Sequence, residues 1–181
     1  MSQNQPKYDR NSFILVVDDD NTLLKFFKIH LNKFFSKVIV VKNAKEAIES
    51  LREKSIDLVI TDINMPRMDG FQLLKRVRKH DNAIPVLLIS GALLNQDEEE
   101  LIRDADGYLR KPFSVDQLHD FINGGLTKRE KMKMLSEMVS DKKHLRNLIT
   151  GKVKLEKVIK KNNQDEAKSL LAELHDLSEV A

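Results

Sequence analysis

The stretch Asp57-Leu58-Val59-Ile60-Thr61-Asp62-Ile63-Asn64-Met65-Pro66-Arg67-Met68-Asp69-Gly70 constrains this chain's fold more than any other. Leu58 to Thr61 is a run of four apolar or β-branched residues, which suits a strand buried on both faces and puts the carboxylate of Asp62 at its end. Asn64, Met65 and Pro66 then turn the chain, and Gly70 opens a helical pattern carried by Phe71, Leu74 and Val77. A carboxylate at the carboxyl end of a parallel strand lies on the rim of the sheet, where open α/β folds keep their sites. Aspartate also favours such positions as a turn cap. The stretch alone leaves both readings open.

The pattern repeats along the chain. Phe13 to Val17 is apolar and ends in Asp18-Asp19-Asp20, after which Leu23, Leu24, Phe27, Leu31 and Phe34 keep helical spacing over residues 21–35. Val38 to Val41 is a second strand, and Asn43 caps a helix bearing Ala44, Ala47, Ile48 and Leu51. A fourth strand begins at Pro85, acceptable as a first residue, and ends at Ser90-Gly91-Ala92. The helix expected over residues 96–104 has Glu98, Glu99 and Glu100 in its first turns, where the dipole favours anions. Asp106 to Leu109 is the last strand, Lys111-Pro112 breaks it, and Ser114 caps a helix with Val115, Leu118, Phe121 and Ile122. Five strands alternating with five helices predict right-handed crossovers and a parallel sheet covered on both faces. Every strand's carboxyl end then lies on one rim, which collects Asp18, Asp19, Asp62, Ser90 and Lys111.

Gly124-Gly125 is expected to close this unit, since adjacent glycines disfavour helix. Beyond it, apolar spacing from Leu126 to Ile149 and again at Leu170, Leu171, Leu174 and Leu177 predicts further helices. The organisation expected is an arm over residues 1–11 with no fixed structure, an α/β domain over 12–123 and a helical extension over 124–181 for dimerisation or partner binding. Charge follows these divisions. Residues 1–123 carry 18 Lys and Arg against 19 acids, residues 124–161 carry 12 against 4, and residues 162–181 carry 1 against 5. The basic stretch suits an acidic partner, a nucleic acid or a solvated helix face.

The absence of cysteine excludes disulfides and thiolate metal sites. No apolar run approaches the roughly 20 residues that span a bilayer, and the first residues lack the apolar core of a signal peptide. A cytoplasmic protein with no membrane partner is expected.

Three rim carboxylates repel one another, which should raise at least one pKa or recruit a cation. Oxygen donors without nearby histidine or cysteine favour Mg2+ or Mn2+ over zinc. With Lys111 as a fixed cation and Ser90 as a donor, the set suits a phosphoryl group. None of the six glycines forms a phosphate-binding loop: Gly151-Lys152 has no glycine five residues upstream and is followed by Val153. The phosphoryl group then has to attach to the protein, with Asp62 as covalent acceptor.

Four motifs, Val16-Val17-Asp18-Asp19-Asp20, Thr61-Asp62 through Asp69-Gly70, Ile89-Ser90-Gly91 and Tyr108-Leu109-Arg110-Lys111-Pro112-Phe113, resemble in order and spacing the receiver domain of bacterial two-component response regulators. The resemblance covers about residues 12–123 and implies a CheY-like, flavodoxin-like doubly wound five-stranded fold. It implies Asp62 as phosphoacceptor, and Asp18, Asp19, Asp62 and the backbone carbonyl of Asn64 as the Mg2+ (or Mn2+) shell. It also implies that Lys111, aimed by a cis peptide to Pro112, pairs with the phosphoryl oxygens, and that Ser90 and Tyr108 form the switch. The implied partners are a sensor histidine kinase or phosphotransfer protein and a downstream protein, with a homodimer through the C-terminal helices as a further option. The only chemistry implied is self-phosphorylation and self-dephosphorylation; an enzyme acting on external phosphate esters is a third reading.

Some residues depart from the family pattern or read as structural. Asp104 stands at the family's usual glycine, Gly107 adjoins the switch tyrosine, and the Ser90 to Tyr108 segment is about one residue short. Leu93 and Leu94 are apolar in a loop expected to move. Asp20 reads as a helix cap, Asp69 as a turn residue, and His30, His80 and His119 as surface residues. His144 reads as an exposed residue, since fewer than 60 residues are short for a phosphotransfer bundle. Leu126-Thr127-Lys128-Arg129-Glu130 resembles the opening of a helix-turn-helix output domain, but the inner turn glycine is missing. A DNA-binding regulator using the basic helical region is therefore the alternative function.

Overall fold

The computed structural model describes residues 10–140, with side chains to residue 134. Five parallel strands, β1 (Phe13–Val17), β2 (Lys37–Val41), β3 (Leu58–Asp62), β4 (Val86–Ser90) and β5 (Gly107–Arg110), stand in the order β2-β1-β3-β4-β5. Helices α1 (Asn21–Leu31), α2 (Ala44–Glu53), α3 (Gly70–His80), α4 (Gln96–Leu101) and α5 (Val115–Ser140) alternate with them. The expected five-stranded doubly wound sheet is borne out. Strand order reverses between β1 and β3, the position where open parallel sheets form their crevice. The expectations for His144, for the helices beyond Ser140, for dimerisation through them and for most of the N-terminal arm concern residues outside those described.

Side-chain alternation along the strands divides the core in two. Ile14, Val16, Leu58 and Ile60 pack with Leu24, Phe27 and Leu31 of α1 and Leu118 and Ile122 of α5. Leu15, Val17 and Val59 point the other way, onto Ala47 and Leu51 of α2 and Leu73, Leu74 and Val77 of α3. All five residues of β3 and of β4 are buried, as strands covered on both faces require.

Local capping fixes where helices begin beneath the rim. Asp20 accepts hydrogen bonds from the N–H groups of Thr22 and Leu23, Asn43 from Glu46, and Ser114 exchanges bonds with Gln117. Asp69 does more than the turn role expected of it: its Oδ1 accepts the Gln72 N–H at 2.7 Å and caps α3. Behind it, Gly70 meets the strand end so closely that a Cβ would lie 2.4 Å from the Asp62 carbonyl oxygen. Only glycine allows α3 to start against the backbone that carries Asp62.

The helix expected to end at Gly124-Gly125 continues through both residues to Ser140, and the compact unit containing the sheet extends to Lys131. Each glycine costs roughly 1 kcal/mol of helix propensity relative to alanine. Gly125 earns its place by close packing: a Cβ there would meet Leu58 and Pro85 side chains at 3.1 Å. One turn later, Arg129 is buried and pairs with Asp81 at 2.7 Å, while the Lys128 ammonium bonds Asp106. Gly125 is thus a packing contact, and of the two basic residues after it Arg129 is internal while Lys128 pairs from the surface.

Asp106 organises the opposite edge of the sheet. Its carboxylate accepts from the Arg78 guanidinium at 2.6 Å, the Val86 N–H at 2.9 Å and Lys128. Burial opposes its charge, but the bonds from Lys128, Val86 and Arg78 prevail and hold its pKa below the ordinary 3.8. A depressed carboxylate pKa stabilises the fold above the unfolded-state value, and this contribution disappears as pH falls through the folded-state value. Asp106→Asn should therefore lower stability by about 1–3 kcal/mol near neutrality. In urea titrations the gap to wild type should close once the pH drops below the ordinary aspartate range; a gap that persists there would exclude the charge as its source.

A second stability prediction comes from Gly70. Gly70→Ala should cost about 1–3 kcal/mol through the forced backbone shift at the end of β3, measured as a reduced denaturation midpoint, and no change would show that the contact is not tight.

Candidate functional site

The rim over the strand-order reversal carries the site. Asp18 follows β1 directly, and Asp62 closes β3. Both carboxylates are buried, with Asp18 2% and Asp62 5% exposed. Such charges require a counter-charge, and Lys111, just past β5, supplies it. Its Nζ lies 2.5 Å from Asp62 Oδ1 and 3.1 Å from Asp18 Oδ2. The Lys111-Pro112 peptide is cis, as the sequence implied.

The remaining oxygens are held by backbone donors. Asp18 Oδ1 accepts the Asp20 N–H at 2.8 Å, and Asp62 Oδ2 accepts the Asn64 N–H at 2.7 Å. Ser90, fully buried at the end of β4, accepts from the Asn64 amide and the Ala92 N–H, each at 3.1 Å. The loop after β3 thus binds both Asp62 and Ser90, and Arg67 within it takes a left-handed backbone with φ 71°. Tyr108, on β5 next to Lys111's loop, is half-buried against the core side of α2 and α3.

The electrostatics follow from burial. Desolvation is the largest influence on Asp18 and raises its pKa above 3.8; the charge of Asp62 adds to this, while bonds from Asp20 and Lys111 oppose it. For Lys111, burial disfavours the ammonium, but its bonds to Asp62 and Asp18 outweigh that and its pKa is raised. Two carboxylates thus share one ammonium, leaving a formal charge of −1 among oxygen donors.

That donor set fits a hard divalent cation. Among the described residues no three His, Asp or Glu side chains form a group that could hold a metal ion by themselves. Mg2+ does not need one: it takes one or two carboxylates and fills its shell with water or phosphate oxygens. Asp18 and Asp62 would supply the two carboxylates, with Asp19 exposed beside them.

The structure brings Asp18, Asp62, Lys111, Asn64 and Ser90 together by hydrogen bonds. Between Ser90 and Tyr108 lie a helix α4 of only six residues with none buried and a 3-10 turn at Ile102–Asp104. Leu93 is exposed, whereas Leu94 packs on the core. At Gly107 a Cβ would lie 2.6 Å from the Phe121 ring, so the glycine beside Tyr108 makes room for α5.

Sequence reasoning passed over one cluster. His30 and His119, expected to be separate surface residues, stand with their Nε2 atoms 2.7 Å apart between α1 and α5. Their 89-residue separation gives no local signal. Only the shared core face of α1 and α5 could have suggested the encounter.

Comparison with known proteins agrees with this geometry. The response regulator receiver domain profile matches residues 14–123. The chain is 33% identical over 123 residues to transcription factor SKN7 of Saccharomyces cerevisiae, covering 67% of this chain and 20% of that one. It is 29% identical over 136 residues to the alkaline phosphatase synthesis transcriptional regulatory protein PhoP of Bacillus subtilis, covering 72% and 55%. It therefore spans about a fifth to just over half the length of these curated relatives. Among solved structures, a response regulator receiver domain protein from Clostridium thermocellum aligns with TM-score 0.60 and 28% identity, covering 67% of this chain and 98% of that one. Response regulator TrrA of Thermotoga maritima in complex with Mg2+-BeF aligns with TM-score 0.58 and 27% identity, covering 64% and 99%. With its acidic pair, buried aspartate and bridging lysine on a CheY-like sheet, the chain belongs to the response regulator receiver family of two-component systems.

Proposed function

We propose that the chain is a phosphorylation-dependent response regulator in which Asp62 accepts a phosphoryl group from a histidine kinase or phosphotransfer protein and which signals through protein contacts. The observation that carries this reading is the Lys111 ammonium bridging the buried Asp18 and Asp62 carboxylates on the rim. An Asp62 oxygen attacks phosphorus in line, the new O–P bond forms as the donor's P–N bond breaks, and the electron pair leaves with the imidazole. Mg2+ or Mn2+, held by Asp18, Asp19, Asp62 and the Asn64 carbonyl, would neutralise the phosphoryl oxygens and the carboxylates that face them. Lys111 stays protonated and follows the added charge. Ser90 exchanges its bond from the Asn64 amide for one to the phosphoryl group, and Tyr108 repacks in step at β5. The resulting change passes to the surface of α4, β5 and α5.

Several relatives are transcriptional regulators, among them PhoP of Bacillus subtilis, which favours a DNA-bound output as the second reading. Residues 126–161 would supply its basic surface.

Incubation with Mg2+ and a small acyl phosphate should add one phosphoryl group per chain, detected by intact mass. Asp62→Ala should abolish the addition; modification persisting in that variant would remove Asp62 as acceptor. Lys111→Ala should act in two directions. It strips the internal counter-ion from two carboxylates, so Mg2+ binding should tighten, while phosphoryl transfer slows by about tenfold or more. Weaker Mg2+ binding in this variant would mean that Lys111 orders the cation site rather than competing for it.

A further inference from the structure

Helices α2 and α3 pack side by side on one face of the sheet and run in the same direction, as successive right-handed crossovers must. Between them lies a cavity of about 450 Å3, within the roughly 300–1,000 Å3 of small-molecule pockets. Its apolar lining comes from Ile48 and Leu51 of α2 and from Met68 of the loop before α3. The rest is basic: Arg52 of α2, and Arg76, Lys79 and His80 of α3. The two kinds of side chain are separated along the helices. Met68 precedes α3 and Ile48 stands one turn before Arg52, whereas Arg52, Lys79 and His80 lie in the last turns of their helices. The cavity is therefore apolar toward the rim and cationic toward the other end.

These cations lack internal partners. Helix α3 contains no acid, and Arg76, Lys79 and His80 stand at i, i+3 and i+4, where like charges repel. Among the described residues Arg52, Arg76 and Lys79 form no ion pair, whereas Arg78, also on α3, is matched by Asp106. Glu53, beside Arg52 in sequence, pairs instead with Lys54. The carboxyl ends of α2 and α3 each contribute about half a negative charge. Together they offset about one of the three fixed cations, so a demand for about two negative charges remains.

We propose that this cavity binds a soluble organic phosphate monoester with a short apolar body, its head on Arg52, Arg76 and Lys79 and its hydrocarbon against Ile48, Leu51 and Met68. Such a head carries a charge of about −1.5 to −2 near neutrality and offers three acceptor oxygens, which guanidinium forks meet in pairs. A nucleotide fits less well: no side-chain amide, hydroxyl or carboxylate lines the cavity to meet the edge of a base. A sugar phosphate would set its hydroxyls against the apolar lining. The site shares no residue with the phosphorylation rim.

The test is calorimetric titration of the full chain with hexyl phosphate, inorganic phosphate and hexanol, in EDTA so that no divalent cation recruits phosphate to the rim. Hexyl phosphate should bind one site at least tenfold more tightly than either of its parts, since burial of two methylenes suffices for that factor. The methyl resonance of Met68 should move as the site fills. Arg52→Gln and Arg76→Gln, both at exposed positions, should each weaken binding about tenfold. Equal affinity for hexyl phosphate and inorganic phosphate, or a stationary Met68 methyl, overturns the site and leaves a solvated basic face. Affinity unchanged in both variants places the binding elsewhere and overturns it too. Binding to phosphatidic acid vesicles without binding of hexyl phosphate overturns the soluble ligand in favour of a membrane surface. Because the three ligands are compared on the wild-type chain, the result stands even if a variant fails to fold.

Discussion

The structure depends on a single ammonium shared between two carboxylates that the chain has buried. Asp18 and Asp62 lie buried at the ends of neighbouring strands, where a carboxylate without a counter-charge is costly. Lys111 reaches them from the end of β5, across 93 and 49 positions of sequence. It thereby ties the last strand of the sheet to the two central ones through charge, in addition to the ladder through β4. The arrangement is stable and unsaturated at the same time. One positive charge faces two negative ones, so the rim can accept another cation, and under the proposed function a phosphoryl group on Asp62 would increase that demand. The same imbalance that makes the pair expensive to bury makes it responsive.

What could be read from the sequence was whatever has a short-range cause. The β3 run and its terminal Asp62, the caps Asp20, Asn43 and Ser114, and the alternation of strand and helix all follow from residues close together in the chain, and the rim follows from the alternation. Gly124-Gly125 misled for the same reason. Local propensity argues for a helix end, yet Gly125 lies against Leu58 and Pro85, residues that no local rule connects to it. Asp106 was read as a strand residue and is instead the meeting point of Arg78, Val86 and Lys128, which lie 20 to 28 positions away. Tertiary contacts of this kind override propensity because their charges and close packing are worth more than the roughly 1 kcal/mol that a glycine costs a helix.

The segment between Ser90 and Tyr108 joins a fixed point to a weakly held helix. Helix α4 has six residues and buries none of them, so few apolar contacts hold it in place. Ser90, by contrast, is fully buried and bonded both to the loop after β3 and to Ala92. Under the proposed function, a displacement of the Ser90 hydroxyl would act on a fixed point at one end and a weakly held helix at the other. In the loop between them Leu94 packs inward while Leu93 stands exposed. Gly107 adds to this at β5, because it lets the Phe121 ring of α5 approach the strand that carries Tyr108.

The long helix α5 bears on what the basic stretch can do. Residues 124–161 contain 12 Lys and Arg, and a nucleic acid surface needs those charges free to displace counterions. The first two are already committed: Lys128 to Asp106, and Arg129, buried, to Asp81. Arg129 is buried against its carboxylate, so freeing it would leave Asp81 without that guanidinium, a cost that phosphate contacts would have to exceed, whereas Lys128 is exposed and Asp106 keeps Arg78 and the Val86 N–H without it. The Leu-Thr-Lys-Arg-Glu motif that resembles a DNA-binding output thus begins inside the packing of the receiver. Arg129 is therefore not part of any basic surface offered to another molecule, and the resemblance at this junction falls on residues that hold α5 against the sheet.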